Sequence, residues 1–355
     1  MVDLIEKQIN KVFMHKAEYQ FSEKKVTYYF DAKFSFLEEL ADKKNVVIIT
    51  DENVCRYHAA KFAGYNVIKF AAGEEHKNQS TVDNIIKELI KLEAAKNTVL
   101  IGVGGGVVTD ITGYVAAVYM RGIQFSLVPT SILAMVDAAI GGKNGIDVGL
   151  YKNMVGTIRQ PAFIFYDYSF LQTLPVNEWV NGFAEVIKHA YIKDAALFAV
   201  LEKYSLYEFQ ADETLVAELV EKNVKIKSTV VTADEFEKGE RKLLNFGHTI
   251  GHAIENLHQL PHGYAISIGM AAACNLSEKM NGLHFEEAKK IISLLARYHL
   301  PVDIDTDHEK VFEVLKMDKK RVAAEIDFIL LNKIGDAVIK PITLEKLHQH
   351  LKKIL

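Results

Sequence analysis

The first half of the chain alternates short apolar runs with helical patterns, and this alternation constrains the fold more than any other feature. Residues 45–50, 98–103 and 125–128 are apolar runs of strand length, which is typical of strands buried on both faces of a sheet. Residues 82–89 place apolar side chains at helical spacing after Ser80, which we predict to cap the helix. Strand, helix and strand in this order predict a parallel sheet with helices on its faces.

The second half of the chain has a different pattern. β-branched runs become sparse, and long helical patterns follow at 215–230, 285–298 and 309–315. We therefore predict an α/β N-terminal nucleotide-binding domain with a parallel sheet over residues 1–174. An all-α C-terminal domain that binds metal and substrate is predicted over residues 175–355.

Composition and charge exclude several classes of protein. The 355 residues carry a formal net charge of −4, which does not favour binding to nucleic acid or to an anionic membrane. No apolar run reaches roughly 18 residues without a charge, and the first residues, MVDLIEKQINKV, do not resemble a signal peptide. The two cysteines, Cys55 and Cys274, are far apart in sequence. This argues against a disulfide framework and predicts a reducing, cytoplasmic location without a membrane partner.

A glycine-rich segment, LIGVGGGVVTDITGYVAA, joins a predicted strand to a predicted helix. Glycines let the backbone approach a phosphate closely, and a helix N-terminus favours negative charge. The dinucleotide fingerprint GxGxxG is incomplete, because Gly102 and Gly104 match its first two positions and Val107 occupies the third. The alternative is a tight turn that requires glycine.

A second segment supports a functional role for this loop. TSILAMVDAAIGGKNGIDVGLYKNMVG places Asp137, Lys143, Lys152 and Asn153 among glycines and small residues. Isolated charges in an apolar segment need partners, which favours their placement in a binding site. A single lysine of this kind is more often a surface residue.

A polar stripe is predicted along one helix near residue 250. If residues 240–255 form a helix, four polar residues share one of its faces. They are Arg241, Asn245, His248 and His252. A solvated face is usually richer in Glu and Lys, so this composition favours a ligand site. The alternative for any one histidine is a hydrogen-bonded core residue.

The histidines of this region favour a metal site. His248 and His252 have the spacing of the HExxH motif, but Thr249 occupies the position of the catalytic Glu, which excludes a zinc protease. His262 follows a proline at the predicted start of the next helix and can fold back beside His248. A zinc site then needs one further ligand, and spacing alone leaves Glu185 and His189 open. Three protein ligands leave an open coordination position, as catalysis requires.

Long motifs in a fixed order run along nearly the whole chain. They are GEEHK, GGGVVTDITGYVAAVYMRGI, VPTSILAMVDAAIGGKNGID, KNMVG, GFAEVIKHA, DEFEKGERKLLNFGHTIGHAIE, LPHG and MDKK. In this set and order the sequence resembles the 3-dehydroquinate synthases, a family of sugar phosphate cyclases. Thr109 stands where many members have Gly and Asn144 where many have Thr, and neither change removes a charged group.

The resemblance implies NAD and a divalent metal, Zn²⁺ or Co²⁺, with Glu185, His248 and His262 as the metal ligands. The residues similar to NAD contacts are Asp51, Asn53, Glu74, Lys77, Gly105, Gly106, Val107, Val108, Thr109, Asp110, Thr130, Ser131, Lys143, Lys152, Phe170 and Thr173. The residues similar to catalytic and substrate-binding residues are Asp137, Lys143, Lys152, Asn153, Lys188, Lys227, Arg241, Asn245, His252 and Lys320, with the choice between Lys319 and Lys320 left open. Arg121 resembles an arginine that reaches into the neighbouring subunit's site, which implies a homodimer.

The implied reaction converts a seven-carbon 2-keto acid phosphate (DAHP) into 3-dehydroquinate and phosphate in the shikimate pathway, a carbon–oxygen lyase reaction. A hydroxyl group is oxidised transiently by NAD, phosphate is eliminated, the hydride returns, and an aldol step closes the ring. Lys227 and Arg241 are predicted to bind the substrate carboxylate. The alternatives are another sugar phosphate cyclase, an NAD- and metal-dependent polyol dehydrogenase of the glycerol type, and an inactive NAD-binding scaffold.

Overall fold

The structure is a computed structural model that describes residues 14–149, 151–319 and 325–355. These residues form two compact units. The first unit comprises the described residues up to Pro175 together with Glu213–Ser228. The second comprises Val176–Asp212 and the described residues from Thr229 onward.

A parallel sheet dominates the first unit. Its strands are β1 (His15–Gln20), β2 (Lys25–Phe30), β3 (Val46–Asp51), β4 (Asn66–Phe70), β5 (Val99–Gly104), β6 (Gln124–Pro129), β7 (Lys143–Val148), β8 (Tyr151–Ile158) and β9 (Phe163–Phe165). Seven of them form one sheet in the order β1-β2-β9-β6-β5-β3-β4, in which only β1 and β2 pair antiparallel. The predicted strands are β3, β5 and β6, and their nearly complete burial is typical of a sheet covered on both faces. β7 and β8 form a separate hairpin.

Helices follow the strands of the first unit as the alternation predicts. They are α1 (Leu37–Leu40), α2 (Glu52–His58), α3 (Gln79–Lys91) and α4 (Gly106–Val118). Ser80 does not cap α3, so that prediction was wrong. The cap is Asn78, whose Oδ1 accepts a hydrogen bond from the Thr81 N–H at 3.1 Å. Ser80 instead lies inside the first turn.

The second unit is mostly helical. Its helices are α5 (Val176–Lys193), α6 (Ala195–Lys203), α7 (Leu206–Ala211), the last turns of α8 (Glu213–Ala233), α9 (His248–His258), α10 (His262–Asn281), α11 (Phe285–Arg297), α12 (His308–Lys319) and α13 (Leu344–Ile354). It also contains one antiparallel hairpin, β10 (Glu325–Lys333) and β11 (Asp336–Thr343), which an all-α prediction omitted. The buried run 328–331 is too short to be distinguished from a helical segment by periodicity. No helix within the described ranges has the length and apolar character needed to cross a membrane.

The predicted fold class is confirmed as a parallel-sheet α/β region followed by a mostly helical region. The domain roles assigned to residues 1–174 and 175–355 stay predictions.

One predicted helix is broken in the structure. Residues 240–255 do not form a single helix, because a short 3-10 helix at Glu240–Asn245 ends before α9 begins. Gly247 separates the two with a φ of 78°, a backbone conformation that favours glycine. The prediction of one polar stripe from Arg241 to His252 was therefore wrong.

Candidate functional site

Three adjacent strands of the first unit end in glycine or polar residues. β3 ends at Asp51, β5 runs into the glycines 104–106, and β6 is followed by Thr130 and Ser131. Because these strands are parallel neighbours, their carboxyl ends lie at one edge of the sheet. The Thr130 N–H donates to the Gly104 carbonyl oxygen at 3.0 Å, which joins two of these ends directly. Ligands of open α/β sheets bind at this edge.

The helix after the glycines begins at the same edge. α4 starts at Gly106 after its N-cap residue Gly105, and no side chain caps it. The predicted contacts Val107, Val108 and Thr109 lie in its first turn. A helix N-terminus without a side-chain cap, next to glycines, suits the phosphates of a dinucleotide, so the residues present fit NAD.

A buried lysine links predicted cofactor residues to a predicted substrate residue. Lys77 Nζ lies 2.6 Å from Asp110 Oδ2 and donates to Asn153 Oδ1 at 2.6 Å. Burial alone would lower the pKa of Lys77, but the carboxylates of Asp110 and Glu74 outweigh it and raise the pKa. Burial raises the pKa of Asp110. A charged lysine is therefore held inside the first unit.

Asp147, which the sequence patterns did not indicate, belongs to the same group. Its N–H donates to the Lys77 carbonyl oxygen at 2.8 Å, and its Oδ1 accepts from the Asn153 N–H at 2.7 Å. The predicted contacts Glu74 and Lys152 lie beside this group, with 3.9 Å between Lys152 Nζ and Glu74 Oε1. No spacing rule joins these residues, because they come from separate segments of the chain.

Asp137 and Lys227 form a second charged pair in the first unit. Lys227 Nζ lies 2.7 Å from Asp137 Oδ1 and also donates to the Asp137 carbonyl oxygen at 2.7 Å. Asp137 lies on a one-turn π-helix, Ala134–Ala138, and Lys227 lies on α8. The structure therefore brings these two predicted residues together, whereas Lys143 is exposed at the start of β7.

Four further predicted residues lie elsewhere in the first unit. Phe170 is buried in the hydrophobic core, with its ring centroid 4.6 Å from that of His58. Thr173 Oγ1 lies 2.7 Å from His58 Nε2. Asn53 on α2 is exposed, as is Arg121, whose φ is 58°. Phe170 and Thr173 therefore meet at His58, a residue that was not predicted.

Three candidate metal ligands meet in the second unit. Glu185 is buried on α5, and His248 and His262 are the first residues of α9 and α10. Nε2 of His248 lies 3.7 Å from Glu185 Oε1, and Nε2 of His262 lies 3.6 Å from the same oxygen. The ligand atoms of the three residues all lie within 4.8 Å of one another. A carboxylate and two imidazoles suit zinc, so the residues present fit a divalent metal.

Close helix packing places His262 next to Glu185. A Cβ atom at Gly263 would lie 2.0 Å from the Asn181 carbonyl oxygen, so only glycine allows the first turn of α10 to approach α5 this closely. The Gly263 N–H donates to Asn181 Oδ1 at 2.6 Å. Asn181 lies one turn before Glu185 on α5, so this contact aligns the two candidate ligands, Glu185 and His262.

Each histidine of the group has a further partner at Nδ1. His248 Nδ1 lies 3.1 Å from the Phe246 carbonyl oxygen, and His262 Nδ1 lies 3.4 Å from Glu255 Oε2. Outer partners of this kind orient metal-binding imidazoles and leave Nε2 for the ion. Glu255 was not predicted, although it follows His248 on α9 at a spacing that places both on one helix face.

The two imidazoles differ in their preferred charge. Burial and the Lys188 ammonium hold the pKa of His248 well below its usual range, which favours the neutral, metal-binding form. Burial would also lower the pKa of His262, but hydrogen bonds to Glu185 and Glu255 outweigh it and raise the pKa to about 9. Positive charge is therefore favoured beside Glu185.

Lys188 and His189 follow Glu185 on the buried face of α5. Lys188 Nζ forms an ion pair with Glu185 Oε2, one helical turn away. His189 is fully buried. The preference for Glu185 over His189 as a metal ligand stays a prediction.

The 3-10 helix before α9 carries two predicted substrate residues. Arg241 is buried, and its Nη1 donates to the Glu235 carbonyl oxygen. Asn245 Nδ2 donates to Glu237 Oε1 at 2.6 Å. Contacts within the second unit therefore orient both side chains.

His252 and Lys320 complete the predicted residues of this region. His252 is exposed on α9, and with Glu255 and His262 it forms another group whose ligand atoms lie within 4.8 Å of one another. Lys320 lies outside the described residues, and the side chain of Lys319 is not described.

Comparisons with known proteins agree with these features. Residues 67–181 match the family model described as 3-dehydroquinate synthase N-terminal, and residues 182–321 match the model described as 3-dehydroquinate synthase C-terminal. A relative from Campylobacter concisus, named 3-dehydroquinate synthase, is 39% identical over 314 residues. The alignment covers 86% of this chain and 90% of that protein.

Solved structures of sugar phosphate cyclases share the fold. The 2-epi-5-epi-valiolone synthase of Streptomyces hygroscopicus, solved with NAD⁺ and Zn²⁺, has a TM-score of 0.82 and 28% identity, covering 89% of this chain and 92% of that one. A 2-deoxy-scyllo-inosose synthase, solved with carbaglucose-6-phosphate, NAD⁺ and Co²⁺, has a TM-score of 0.83 and 24% identity. That match covers 96% of this chain and 100% of the other.

Proposed function

This chain belongs to the 3-dehydroquinate synthase family, and on that premise we propose that it converts DAHP into 3-dehydroquinate and phosphate. It acts as a carbon–oxygen lyase of the shikimate pathway that depends on NAD and a divalent metal. The observation that carries the proposal is the grouping of Glu185, His248 and His262 inside the segment matched by the family's C-terminal model. A carboxylate and two imidazoles bind a metal and leave a position open for substrate.

In the second unit, Glu185, His248 and His262 hold Zn²⁺ or Co²⁺, which polarises a substrate hydroxyl group when bound. Glu255 and the Phe246 carbonyl group orient the two imidazoles through their Nδ1 atoms. Lys188 places an ammonium group beside this cluster, where it can donate a hydrogen bond to a substrate oxygen. This part of the protein thus supplies a Lewis-acid site with an adjacent cation.

In the first unit, the carboxyl edge of the sheet holds NAD, which accepts and returns a hydride when bound. Gly105 and Gly106 let the backbone approach the phosphates, which bind at the N-terminus of α4. Asp51, Thr130 and Ser131 offer hydrogen-bonding groups at the same edge. The remaining residues similar to family contacts are assigned to NAD on the resemblance alone.

The substrate carries a phosphate and a carboxylate, so its binding residues include several cations. The first unit supplies Lys143, Lys152, Asn153, Asp137 and Lys227. The second supplies Lys188, Arg241, Asn245 and His252, and Lys320 completes the proposed set. Arg241 binds the carboxylate, because its planar guanidinium matches carboxylate geometry.

The proposed functional unit is a homodimer in which Arg121 acts in the partner's site. The hairpin of β7 and β8 exposes the large apolar side chains of Val148, Tyr151, Met154, Val155 and Ile158. Apolar side chains exposed together mark interaction surfaces. Arg159 Nη1, at the end of β8, donates to the Ala116 carbonyl oxygen at 2.6 Å. This bond ties the hairpin to the segment that carries Arg121, so pairing through the hairpin brings Arg121 near the partner.

A subunit-mixing experiment tests this role of Arg121. Arg121→Ala and Lys188→Ala are each expected to be inactive alone. After unfolding and refolding together, about half of the dimers carry one copy of each chain, and in these one site has Lys188 and the partner's Arg121. Activity should return to roughly a quarter of wild type. No recovery in verified mixed dimers would mean that Arg121 acts within its own chain or not at all.

The proposed location is the cytoplasm. Both Cys55 and Cys274 are free thiols, and the second is fully buried. Free thiols are typical of a reducing compartment. Fractionation of the native host with an antibody to this chain tests the location.

Phosphate release from DAHP tests the activity. The wild-type chain with NAD should release phosphate, lose activity with a chelator, and recover it with Zn²⁺ or Co²⁺. NADH should not accumulate, because the hydride returns to the product. NADH formed in step with alcohol oxidation would instead identify a polyol dehydrogenase. Phosphate release only from sugar phosphates without a carboxylate would identify another cyclase.

A further inference from the structure

The β7–β8 hairpin contains an irregularity at its functional end. Ile146 pairs with Val155 and Val148 pairs with Tyr151, so one residue of β7 faces three residues of β8 between these pairs. The single residue on β7 is Asp147. Asn153, in the middle of the facing segment, has a φ of 54°, which is uncommon for a residue with a side chain. Bulges of this kind re-aim side chains and leave backbone groups without a partner in the ladder.

The Asp147 side chain bonds the backbone group at the centre of the bulge. Its Oδ1 accepts a hydrogen bond from the Asn153 N–H at 2.7 Å. Its own N–H donates to the Lys77 carbonyl oxygen at 2.8 Å, and Lys77 Nζ donates to Asn153 Oδ1 at 2.6 Å. Three hydrogen bonds therefore close a ring through Asp147, Asn153 and Lys77, and fix both the backbone and the amide of Asn153.

Other packing contributes little to this conformation. Most residues of β8 are exposed, and Asn153 itself is exposed, so no apolar core holds it in place. Residues with φ in the left-handed region persist where surrounding contacts determine them. Here the contacts that determine the conformation are polar and come from Asp147 and Lys77.

We propose that Asp147 is a positioning residue that holds the bulge of β8 so that Lys152 and Asn153 face the substrate. The inference rests on the proposed function, which assigns Lys152 and Asn153 to substrate. Asp147 itself touches neither substrate nor cofactor and acts through Asn153. Its backbone N–H donates to the Lys77 carbonyl oxygen, and a change of its side chain retains this hydrogen bond. Its carboxylate also acts electrostatically on the Lys77 ammonium group.

Three variants separate positioning from general stability. Asp147→Ala removes the acceptor and should lower kcat/KM for DAHP about tenfold or more, the loss expected for one charge-assisted hydrogen bond. Asp147→Asn keeps an oxygen acceptor and should retain most of the activity. Asp42→Ala is the matched control, because Asp42 also accepts a backbone N–H in the first unit, from Lys44 at 3.1 Å. The control should leave kcat/KM unchanged.

Two further measurements test whether the loss of activity in Asp147→Ala arises through Asn153. In Asp147→Ala the affinity for NAD should fall by a smaller factor than kcat/KM for DAHP, because the variant retains the backbone hydrogen bond to the Lys77 carbonyl oxygen. The double variant Asp147→Ala/Asn153→Ala should be no worse than Asn153→Ala alone, since Asp147 acts through Asn153. Losses that add in full would overturn the inference.

Amide hydrogen exchange of residues 151–158 tests whether Asp147 holds the conformation of β8, without any assay of activity. Exchange should be faster in Asp147→Ala than in wild type and near wild type in Asp147→Asn. Unchanged exchange would overturn the positioning role whether or not the enzyme is active. If wild type releases no phosphate from DAHP but exchange responds as expected, the proposed function fails and the structural role of Asp147 stands.

Discussion

The candidate metal-ligand group of the second unit and the charged group around Lys77 in the first unit are built in opposite ways. Glu185, His248 and His262 lie on three helices that pack through glycine contacts. Lys77 and Asn153 lie in a loop and a bulged strand, and hydrogen bonds that involve the side chains of Lys77, Asn153 and Asp147 hold them. The first arrangement depends on backbone packing and the second on the polar groups themselves.

Because of this difference, a substitution should affect metal binding in one group and stability in the other. Removal of one candidate metal ligand leaves the helix packing in place, so metal binding should fail before the fold does. Removal of one partner from the Lys77 group leaves a buried charge without its counter-ion, which costs stability. The two groups should therefore respond differently to substitutions of similar size.

The largest expected effect is the loss of a metal ligand. His248→Ala should lower activity by more than about a hundredfold, the upper end of what loss of an outer partner alone costs. Its melting temperature without metal should match that of metal-free wild type. The control is His258→Ala, which removes the last histidine of α9, where Nε2 lies 2.8 Å from Thr306 Oγ1. Full metal content in His248→Ala, measured by elemental analysis, would remove this residue from the ligand set.

The next effect concerns stability. Lys77→Met should lower the free energy of unfolding by about 3 kcal/mol, because the Asp110 carboxylate, which is largely shielded from solvent, loses the buried ammonium group paired with it. Lys152→Met is the control, since its pair with Glu74 is partly exposed and spans 3.9 Å. That change should cost less than about 1 kcal/mol. Equal losses in urea denaturation would contradict the contrast between the two groups.

A smaller effect is expected from the outer partner of His262. Glu255→Gln keeps the size of the side chain but removes the charge beside Nδ1. The affinity for Zn²⁺ should fall about tenfold in a competition titration with a chelating dye. Glu278→Gln, an exposed change on α10, is the control. An unchanged affinity would mean that helix packing alone orients His262.

Arg241 offers an intermediate case, because its side chain is buried like the metal-ligand candidates but is oriented by a polar contact, a hydrogen bond to the Glu235 carbonyl oxygen. Arg241→Ala should lower kcat/KM for DAHP by at least about tenfold, as expected for the loss of one charge-assisted bond to a carboxylate. The dissociation constant of NAD should not change. A kcat/KM equal to wild type would remove Arg241 from the carboxylate site and favour a substrate without that group.

The smallest effect is a pH dependence of the metal-free protein. The pKa of His262 is raised to about 9, so its protonated form stabilises the fold below pH 6.5, and that stability is lost between about pH 6.5 and 9. The free energy of unfolding should fall by roughly 1 kcal/mol or more across this range. His262→Gln should remove this dependence. A dependence that persists in the variant would come from other groups.

Helical spacing and buried strand patterns were readable from the sequence because they reflect local periodicity. Glu185 and Lys188 lie one turn apart on α5, as their spacing in the sequence indicates for a helix. The break at Gly247 was not visible, because its φ of 78° depends on packing between α9 and α10. Asp147 was missed because its bonds join distant segments, whereas Glu255 lay on a face that the spacing of α9 already indicated.

Helix α8 belongs partly to each unit, since its residues up to Ser228 complete the first unit and the rest belong to the second. When the ribosome passes Pro175, the segment of α8 that completes the first unit has therefore not yet been synthesised. Synthesis adds ~5–20 residues per second, so Lys227, the partner of Asp137, emerges seconds later, after α5, α6 and α7 have been made. During that interval the ion pair between Asp137 and Lys227 cannot form, and it never forms in a fragment that ends at Pro175. The order of translation thus makes the maturation of the first unit depend on a segment encoded inside the second.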